Sequence, residues 1–138
     1  MTRAYYYFFY KLYKFYDAGP SVWLSDWKAG VSISVLEVIF LNTLIWYLNI
    51  ILKVEIYDVG SVNLTLLGLP PIELLIITTI LAFNFFAFLF NSDWKKYAAE
   101  FDRLSPKQNK INSRIVGAII LFVFGNLIIA YLLLNKSK

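Results

Sequence analysis

Three long apolar runs set the pattern of hydrophobic and polar positions along this chain. The first, residues 31–52, reads VSISVLEVIFLNTLIWYLNIIL, and its one acidic or basic side chain is Glu37. A helix of that length is ~33 Å long, enough to cross a hydrocarbon layer of ~30 Å. Residues 72–91 and 115–134 form two further runs of similar length. The pattern predicts an all-α membrane protein with three transmembrane helices.

The segment before the first run is aromatic and basic, and residues 3–16 have the periodicity of an amphipathic helix. Such a helix lies in the membrane interface when its rings reach headgroup depth and its cations face phosphates. It would serve as a plain membrane anchor or bind anionic lipid or a partner. The predicted apolar side holds Tyr5, Phe8, Phe9, Leu12, Phe15 and Tyr16, and the other side holds Arg3, Tyr7, Tyr10, Lys11 and Lys14.

Tryptophans mark the predicted boundaries between membrane and water. Trp23 and Trp27 precede the first run, where Ser25 or Asp26 would cap the helix, and Trp94 follows the second run. Tryptophan concentrates at headgroup depth because its ring is apolar and its N–H group needs a polar partner. We therefore expect these three tryptophans at the membrane interface, together with the cations of the N-terminal helix.

The two connections between the runs differ. Residues 53–71 alternate partly between apolar and polar positions, which is typical of a short hairpin or an ordered loop. Residues 92–114 carry an apolar side chain every three or four positions, which predicts a helical connection. In its second part, Ser105 as N-cap, Pro106 at the first helical position and Gln108 two positions later predict a new helix that continues into the third run.

The distribution of cations predicts the orientation. Four Lys or Arg residues precede the first run and six lie between the second and third, against one in the first connection and two after the third run. Cytoplasmic segments carry the excess of Lys and Arg. We therefore expect the N-terminus and residues 92–114 in the cytoplasm, and residues 53–71 and the C-terminus outside.

Composition narrows the function. Of 138 residues, 59% are hydrophobic and 16% are charged, which favours a single membrane domain. The chain has no cysteine or histidine, so thiol nucleophiles and Cys/His metal sites are excluded. No phosphate-binding loop or catalytic constellation is recognisable, so we expect no enzyme, cofactor or metal. The basic connection is better suited to phospholipid headgroups than to nucleic acid.

Polar residues inside the runs are the candidate functional residues. Glu37 would be a proton or cation site in a pore or transporter, would pair with a partner or with the N-terminal helix, or would be locally hydrated without a function. Asn42, Asn49, Asn84 and Asn126 supply at least one amide to each run, as links between helices or as a polar conduction path.

The third run also carries small residues on one broad side, where another helix could approach closely. We expect that three helices cannot satisfy Glu37, the four asparagines and this small-residue side among themselves. The packing residues proposed on this side are Gly117, Ala118, Gly125 and Ala130.

The order of YYYFFYKLYKFY, a span with Leu-Glu near its start, Leu-Pro before the second span and an FNFF run resembles small multi-span inner-membrane proteins of Bacteroidota. The resemblance implies a bacterial inner membrane and no activity. We expect a non-catalytic accessory or structural subunit that packs against itself or against larger membrane partners. The alternatives are a homo-oligomeric pore or membrane-perturbing effector, and a membrane immunity protein against a toxin.

Overall fold

The computed structural model describes residues 3–19, 24–52, 71–90 and 93–137, and the regular elements in these ranges are all helices. The all-helical class is therefore confirmed. A π-helical segment, Phe85–Phe90, continues the third helix. The α-helices are α1 Arg3–Asp17, α2 Ser25–Leu52, α3 Pro71–Asn84, α4 Trp94–Asp102 and α5 Pro106–Ser137.

The predicted helix start at Pro106 is confirmed. The backbone N–H of Gln108 donates to the Ser105 side-chain oxygen at 3.3 Å, as expected of an N-cap serine. From there α5 runs for 32 residues, so the end of the basic connection and the whole of residues 115–134 belong to one helix. The local capping signal therefore predicted this boundary correctly.

The start of α2 is also close to the prediction. The helix begins at Ser25, six residues before the apolar run, and Leu24 precedes it with a φ of 58°. A positive φ is uncommon for a residue with a side chain, so the chain makes a sharp turn here. The Asp26 carboxylate accepts a hydrogen bond from the Trp27 N–H at 2.9 Å, which satisfies one donor of the first turn.

The second apolar run is not a plain α-helix. It is α-helical through Asn84 and π-helical from Phe85 to Phe90. A π-helical turn has wider hydrogen bonding than an α-helix and changes which side chains face a neighbour. Phe88 is fully buried, whereas Phe85, Phe86 and Phe90 are exposed. The change of helix type therefore aims one phenylalanine of this run into the protein.

The helices pack around α2, which contacts α1, α3 and α5, and α1 in turn contacts α4. Nine side chains form the main buried cluster, and it lies at one end of the bundle rather than along its length. We call it the aromatic core. Its members are Tyr6, Tyr7, Phe9, Tyr10, Ala29, Ile33, Phe88, Trp94 and Phe101.

The predicted division of α1 into two sides needs correction. Tyr7 and Tyr10, predicted on the cationic side, are buried, and Phe15, predicted on the apolar side, is 72% exposed. The physical reason is that α1 packs against α2 on one flank and α4 on another, so protein covers more of it than a one-sided interfacial helix would allow.

Two helices, α2 and α5, are long and apolar enough to cross a membrane. A third candidate consists of Leu74–Phe90 followed by Trp94–Asp102, two pieces bent by 65° relative to each other. The described part of the chain therefore contains two such helices, or three if the bent pair is one span.

Some predictions lie outside the described residues. They are the interfacial position of Trp23 and the hairpin or loop expected between α2 and α3, apart from Pro71.

Candidate functional site

Three polar side chains from three different helices meet at Glu37. Glu37 lies twelve residues into α2, Asn84 is the last residue of α3, and Tyr5 lies in the first turn of α1. We call Tyr5, Glu37 and Asn84 the Glu37 triad. Residues so far apart in the chain are brought together because α1 and α3 both pack against α2.

The triad is joined by three short contacts. The Tyr5 hydroxyl lies 2.5 Å from Glu37 Oε1 and 2.6 Å from Asn84 Oδ1. Asn84 Nδ2 donates to Glu37 Oε2 at 2.6 Å. All three distances are short for hydrogen bonds between such groups. Asn84 is 2% exposed, so its amide depends on these protein partners rather than on water.

The aromatic core holds the Tyr5 hydroxyl in position. The Tyr5 ring lies 5.1 Å from the Phe88 ring, and Phe88 in turn stacks on Phe9 at 4.1 Å. Trp94 completes this group with its ring 4.9 Å from Phe9. The π-helical segment therefore links two parts of the site. Asn84 of the triad directly precedes the segment, and Phe88 is its buried side chain.

The Tyr5 hydroxyl keeps its proton. Burial raises the pKa of Tyr5, the hydrogen bond to Glu37 raises it further, and the contact with Asn84 acts in the opposite direction. Because an ordinary tyrosine already titrates near pH 10, the phenol is a hydrogen-bond donor at any physiological pH.

Glu37 borders two open cavities in the apolar part of the bundle. A cleft of about 810 Å³ separates part of α1 and α2 from α5, and a smaller cavity of about 380 Å³ lies between α2 and α3. Glu37 and Phe40 line both. The α5 wall of the cleft is mainly apolar near Ile119 and Phe122 and polar near Gln108 and Asn112. The triad is therefore half-buried and stands beside space that water or an acyl chain could enter.

A second set of polar contacts ties α1 to the segment that follows the π-helix. The Tyr10 hydroxyl donates to Asp102 at 2.5 Å, and Lys14 Nζ lies 3.2 Å from the same carboxylate. The Tyr7 hydroxyl donates to Asn109 at 2.9 Å, and Lys11 also bonds Asn109.

The cations predicted to face lipid phosphates thus have protein partners. Arg3 forms an ion pair with Glu100, and Lys14 pairs with Asp102. The hydrogen bond from Tyr10 holds the pKa of Asp102 below its usual range, Lys14 adds to this effect, and partial burial opposes it. These acidic partners could have been found from the sequence, since Glu100 and Asp102 are acids within a basic connection.

The contacts of Asn126 lie outside the triad. The Tyr47 hydroxyl is 3.4 Å from both the backbone and side-chain oxygens of Asn126, and Asn126 Nδ2 donates to the Phe122 carbonyl of its own helix at 2.8 Å. Asn42 and Asn49 have partners as well. Asn84 is joined to Glu37 directly.

Glu37 and Asn84 bond each other, and both contact Tyr5 of α1, which lies outside the three apolar runs. The expectation that three membrane helices cannot satisfy all their polar groups among themselves stays a prediction. Sequence reasoning named the N-terminal helix as one possible partner of Glu37 but did not identify Tyr5.

The predicted packing residues of α5 have different environments. Ala130 is fully buried, and Ala118 is exposed. A methyl group added at Gly117 or Gly125 would meet no other part of the protein within 4 Å. One of the four small residues therefore packs inside the protein, and the glycines have free space beside them.

The predicted interfacial tryptophans also differ. Trp27 is 46% exposed and its ring lies 6.3 Å from Phe85. Trp94 is buried in the aromatic core between Phe9 and Tyr13. Trp94 packs against protein because α4, which follows the bend after the π-helical segment, contacts α1. Its place at the membrane interface stays a prediction.

Among the described residues, no three acidic side chains lie close enough together to hold a metal ion. The comparisons with known proteins returned no match, whether with family models, with curated proteins or with solved structures. What the fold defines is a helical protein whose two longest helices are compatible with a membrane.

Proposed function

We propose that the protein is a non-catalytic, three-span protein of the bacterial inner membrane that acts as an accessory subunit of a membrane complex. It packs against a partner through the exposed face of α5. The proposal covers the number of spans, their orientation and the role, and each of these has its own support.

The contact between α1 and α4 supports three spans. Residues before α2 and residues after the π-helical segment meet at the same end of the bundle, at Arg3–Glu100 and Tyr10–Asp102. A chain that leaves this end along α2 must return to it along α3 and the π-helical segment. α5 then leaves the same end again. The bent pair is accordingly the second crossing followed by a helix outside the hydrocarbon layer.

The same contact supports the orientation. The N-terminal segment and residues 92–114 carry most of the Lys and Arg residues, and their described parts share one end of the bundle. Cation-rich ends stay in the cytoplasm. The N-terminus and α4 are then cytoplasmic, and the C-terminus lies outside.

One observation carries the role, and it is the open space beside Gly125. The buried residues Val123 and Ala130 lie on the side of α5 that packs inside the protein. Gly125 lies on the opposite side, where an added Cβ atom would have no neighbour within 4 Å outside its own stretch of helix. Small residues let transmembrane helices approach closely, which strengthens van der Waals contact.

The neighbours of Gly125 extend this surface into a helical stripe. Ala118, Leu121 and Leu132 lie three to seven residues apart along the same face of α5, and all three are exposed. Small residues among bulky aliphatic ones make a surface that another helix fits more closely than lipid tails do. The polar groups do not supply this contact, since Glu37 and Asn84 are engaged within the chain.

The test is native mass spectrometry of the protein purified in lipid nanodiscs, with identification of co-purifying chains. A Gly125→Leu variant should lose a partner that the wild-type protein carries, because the new side chain holds the helices apart. Tyr131→Leu is the matched control, since Tyr131 is also exposed on α5 but on another side. It should keep the partner.

Two outcomes would contradict the accessory role. If the wild-type protein and Gly125→Leu are both monomers without co-purifying chains, the α5 face contacts lipid alone. A symmetric homo-oligomer without other chains would favour the pore, and conductance measurements would then be the next step.

A further inference from the structure

The Glu37 triad has more hydrogen-bond contacts than its ordinary protonation state can supply with hydrogens. Three groups meet in three contacts, and each contact requires one hydrogen between its two heavy atoms. The Tyr5 hydroxyl has one hydrogen, and the Asn84 amide can direct one N–H into each contact that its nitrogen makes. An ionised carboxylate has none. With Glu37 ionised, two hydrogens serve three contacts.

The shortage does not depend on the orientation of the Asn84 amide. In the orientation described above, Asn84 Nδ2 donates to Glu37, so the Tyr5 hydroxyl must serve both Glu37 Oε1 and Asn84 Oδ1 with one hydrogen. With the amide rotated by half a turn, its nitrogen would donate to Tyr5 and its oxygen would face Glu37 Oε2. Either way, one contact of 2.5 or 2.6 Å joins two acceptor oxygens without a hydrogen.

We propose that the Glu37 triad is a proton-binding site, in which Glu37 is a carboxylic acid and donates the third hydrogen bond. The proton adds to one carboxylate oxygen and forms an O–H bond there, and no other covalent bond changes. The ring of donors is then complete: Glu37 donates to Tyr5, Tyr5 donates to Asn84, and Asn84 donates to the second oxygen of Glu37. Each group both donates and accepts, which strengthens the ring cooperatively.

The surroundings of Glu37 favour the neutral acid. The groups that face it from α1 are Tyr5 and, along the same cleft, Arg3 and Tyr7. Arg3 is engaged by Glu100 on α4. The polar groups that α5 contributes to the cleft, Gln108 and Asn112, are uncharged.

The groups that face Glu37 from α3 are apolar or uncharged. α3 presents Asn84 to Glu37 and Thr79 to the smaller cavity, whose other lining residues are aliphatic or aromatic. An ionised carboxyl within an apolar layer is costly unless a cation or several donors compensate it. Hydrogen-bond distances between the oxygens likewise indicate a proton between them rather than a metal ion.

The bound proton links α1 to the membrane helices. Tyr5 is the residue of α1 within the triad, so removing the proton leaves two acceptor oxygens in contact and weakens the attachment of this end of α1. Solvent reaches the cleft at its polar end, near Arg3 and Gln108, and is the source of the proton. This inference does not rest on the partner proposed for α5.

The first experiment is infrared difference spectroscopy of the protein in nanodiscs at neutral pH, with Glu37→Gln subtracted from wild type. We expect a carboxylic-acid carbonyl band in the wild-type protein that Glu37→Gln lacks. Tyr5→Phe should remove or shift this band. Without the Tyr5 hydroxyl, one contact between Asn84 and Glu37 remains, and the Asn84 N–H supplies its hydrogen. Tyr7→Phe is the matched control, since its hydroxyl bonds Asn109 instead, and the band should stay unchanged.

The second experiment measures the attachment of α1. The chain has no cysteine, so paired spin labels at Phe15→Cys and Lys110→Cys, both exposed positions, report the distance between α1 and α5 without further changes. Glutamine supplies an N–H where the acid supplies an O–H. Glu37→Gln should therefore keep the wild-type distance at neutral pH.

Two results would overturn the proposal. One is the absence of the carboxylic-acid band from wild-type protein whose α1 is attached. The other is release of α1 in Glu37→Gln under conditions where the wild-type protein keeps it attached. If Glu37→Gln does not fold, the band in wild type compared with Tyr5→Phe decides the question alone.

Discussion

The end of the bundle that holds α1 and α4 is packed like the interior of a soluble protein, whereas the far halves of α2 and α5 leave many apolar side chains uncovered. Phe9 and Phe88 are fully buried at the first end. Ile51 of α2 is 72% exposed, and Leu121 of α5 is 74% exposed. The same property, hydrophobicity, therefore produces a protein core in one region and a surface suited to lipid in the other.

The chemistry of the side chains explains the difference. The packed end is rich in tyrosine, whose ring adds apolar contact and whose hydroxyl can satisfy a buried polar group. Tyr5, Tyr7 and Tyr10 each use the hydroxyl to bond a polar side chain of another helix. The far halves are mostly aliphatic and have little need for directional contacts. Mutations should therefore be costly at the first end and mild at the second.

The largest effect is expected from Phe9→Ala. This change removes a ring that stacks on Phe88 and contacts Trp94, in a site without solvent exposure. Truncating a buried phenylalanine to alanine typically costs about 3–5 kcal/mol. The free energy of unfolding, measured by titration with denaturing detergent in mixed micelles, should fall by about that amount.

Leu121→Ala is the matched control from the exposed region. Leu121 touches little of the protein, so its truncation should change the unfolding free energy by no more than about 0.5 kcal/mol. Equal losses for the two variants would mean that the two regions do not differ in packing.

An intermediate effect is expected from Asn84→Leu. Asn84 is buried and its loss leaves Tyr5 and Glu37 with one partner fewer, at a cost of about 1–3 kcal/mol. Asn126→Leu removes a 3.4 Å side-chain contact to Tyr47 and a bond to the Phe122 carbonyl of its own helix. It should cost less, about 0.6 kcal/mol, the average for hydrogen bonds in a membrane protein. The same unfolding assay compares the two, and the reverse order would contradict our account of the asparagines.

The smallest expected effect is a dependence of stability on acidic pH, which arises at the contact between α1 and α4. The pKa of Asp102 is lowered, chiefly by the hydrogen bond from Tyr10, so the folded protein favours the ionised carboxylate. This stabilisation is complete above the usual aspartate pKa and is lost as the pH falls through the lowered value. Because Asp102 is exposed, the change should be modest.

Tyr10→Phe is the variant that isolates this effect. It removes the main cause of the shift, so unfolding measured across the acidic range should depend less on pH than in the wild-type protein. An unchanged slope would assign the acid dependence to other carboxyl groups.

Local signals in the sequence predicted the helices well, because capping and long apolar runs act within a few residues. The start of α5 at Pro106 is an example, since Ser105 alone supplies its cap. The partners of α1 could not be predicted in the same way. Tyr7 and Tyr10 occupy the cationic side of an isolated helix, and their burial depends on α4 lying beside them.

The triad shows the same limit. Glu37 was identifiable as a costly side chain within an apolar run, and Asn84 as one of several amides. Their meeting depends on the packing of three helices and on the change from α- to π-helix after Asn84. No periodicity in the sequence predicts the change from α- to π-helix.

The most direct measurement is an accessibility scan of single spin labels along α1 and along α5 from Ile115 to Leu132, in nanodiscs, with oxygen as the lipid-soluble collider and a nickel chelate as the aqueous one. We expect the buried positions of α1 to be protected from both reagents. On α5, oxygen access should follow the helical period, high at Tyr131 and low at Ala130. If α1 instead shows one face as open to oxygen as Tyr131, the helix lies on the lipid surface and its docking into the bundle is wrong.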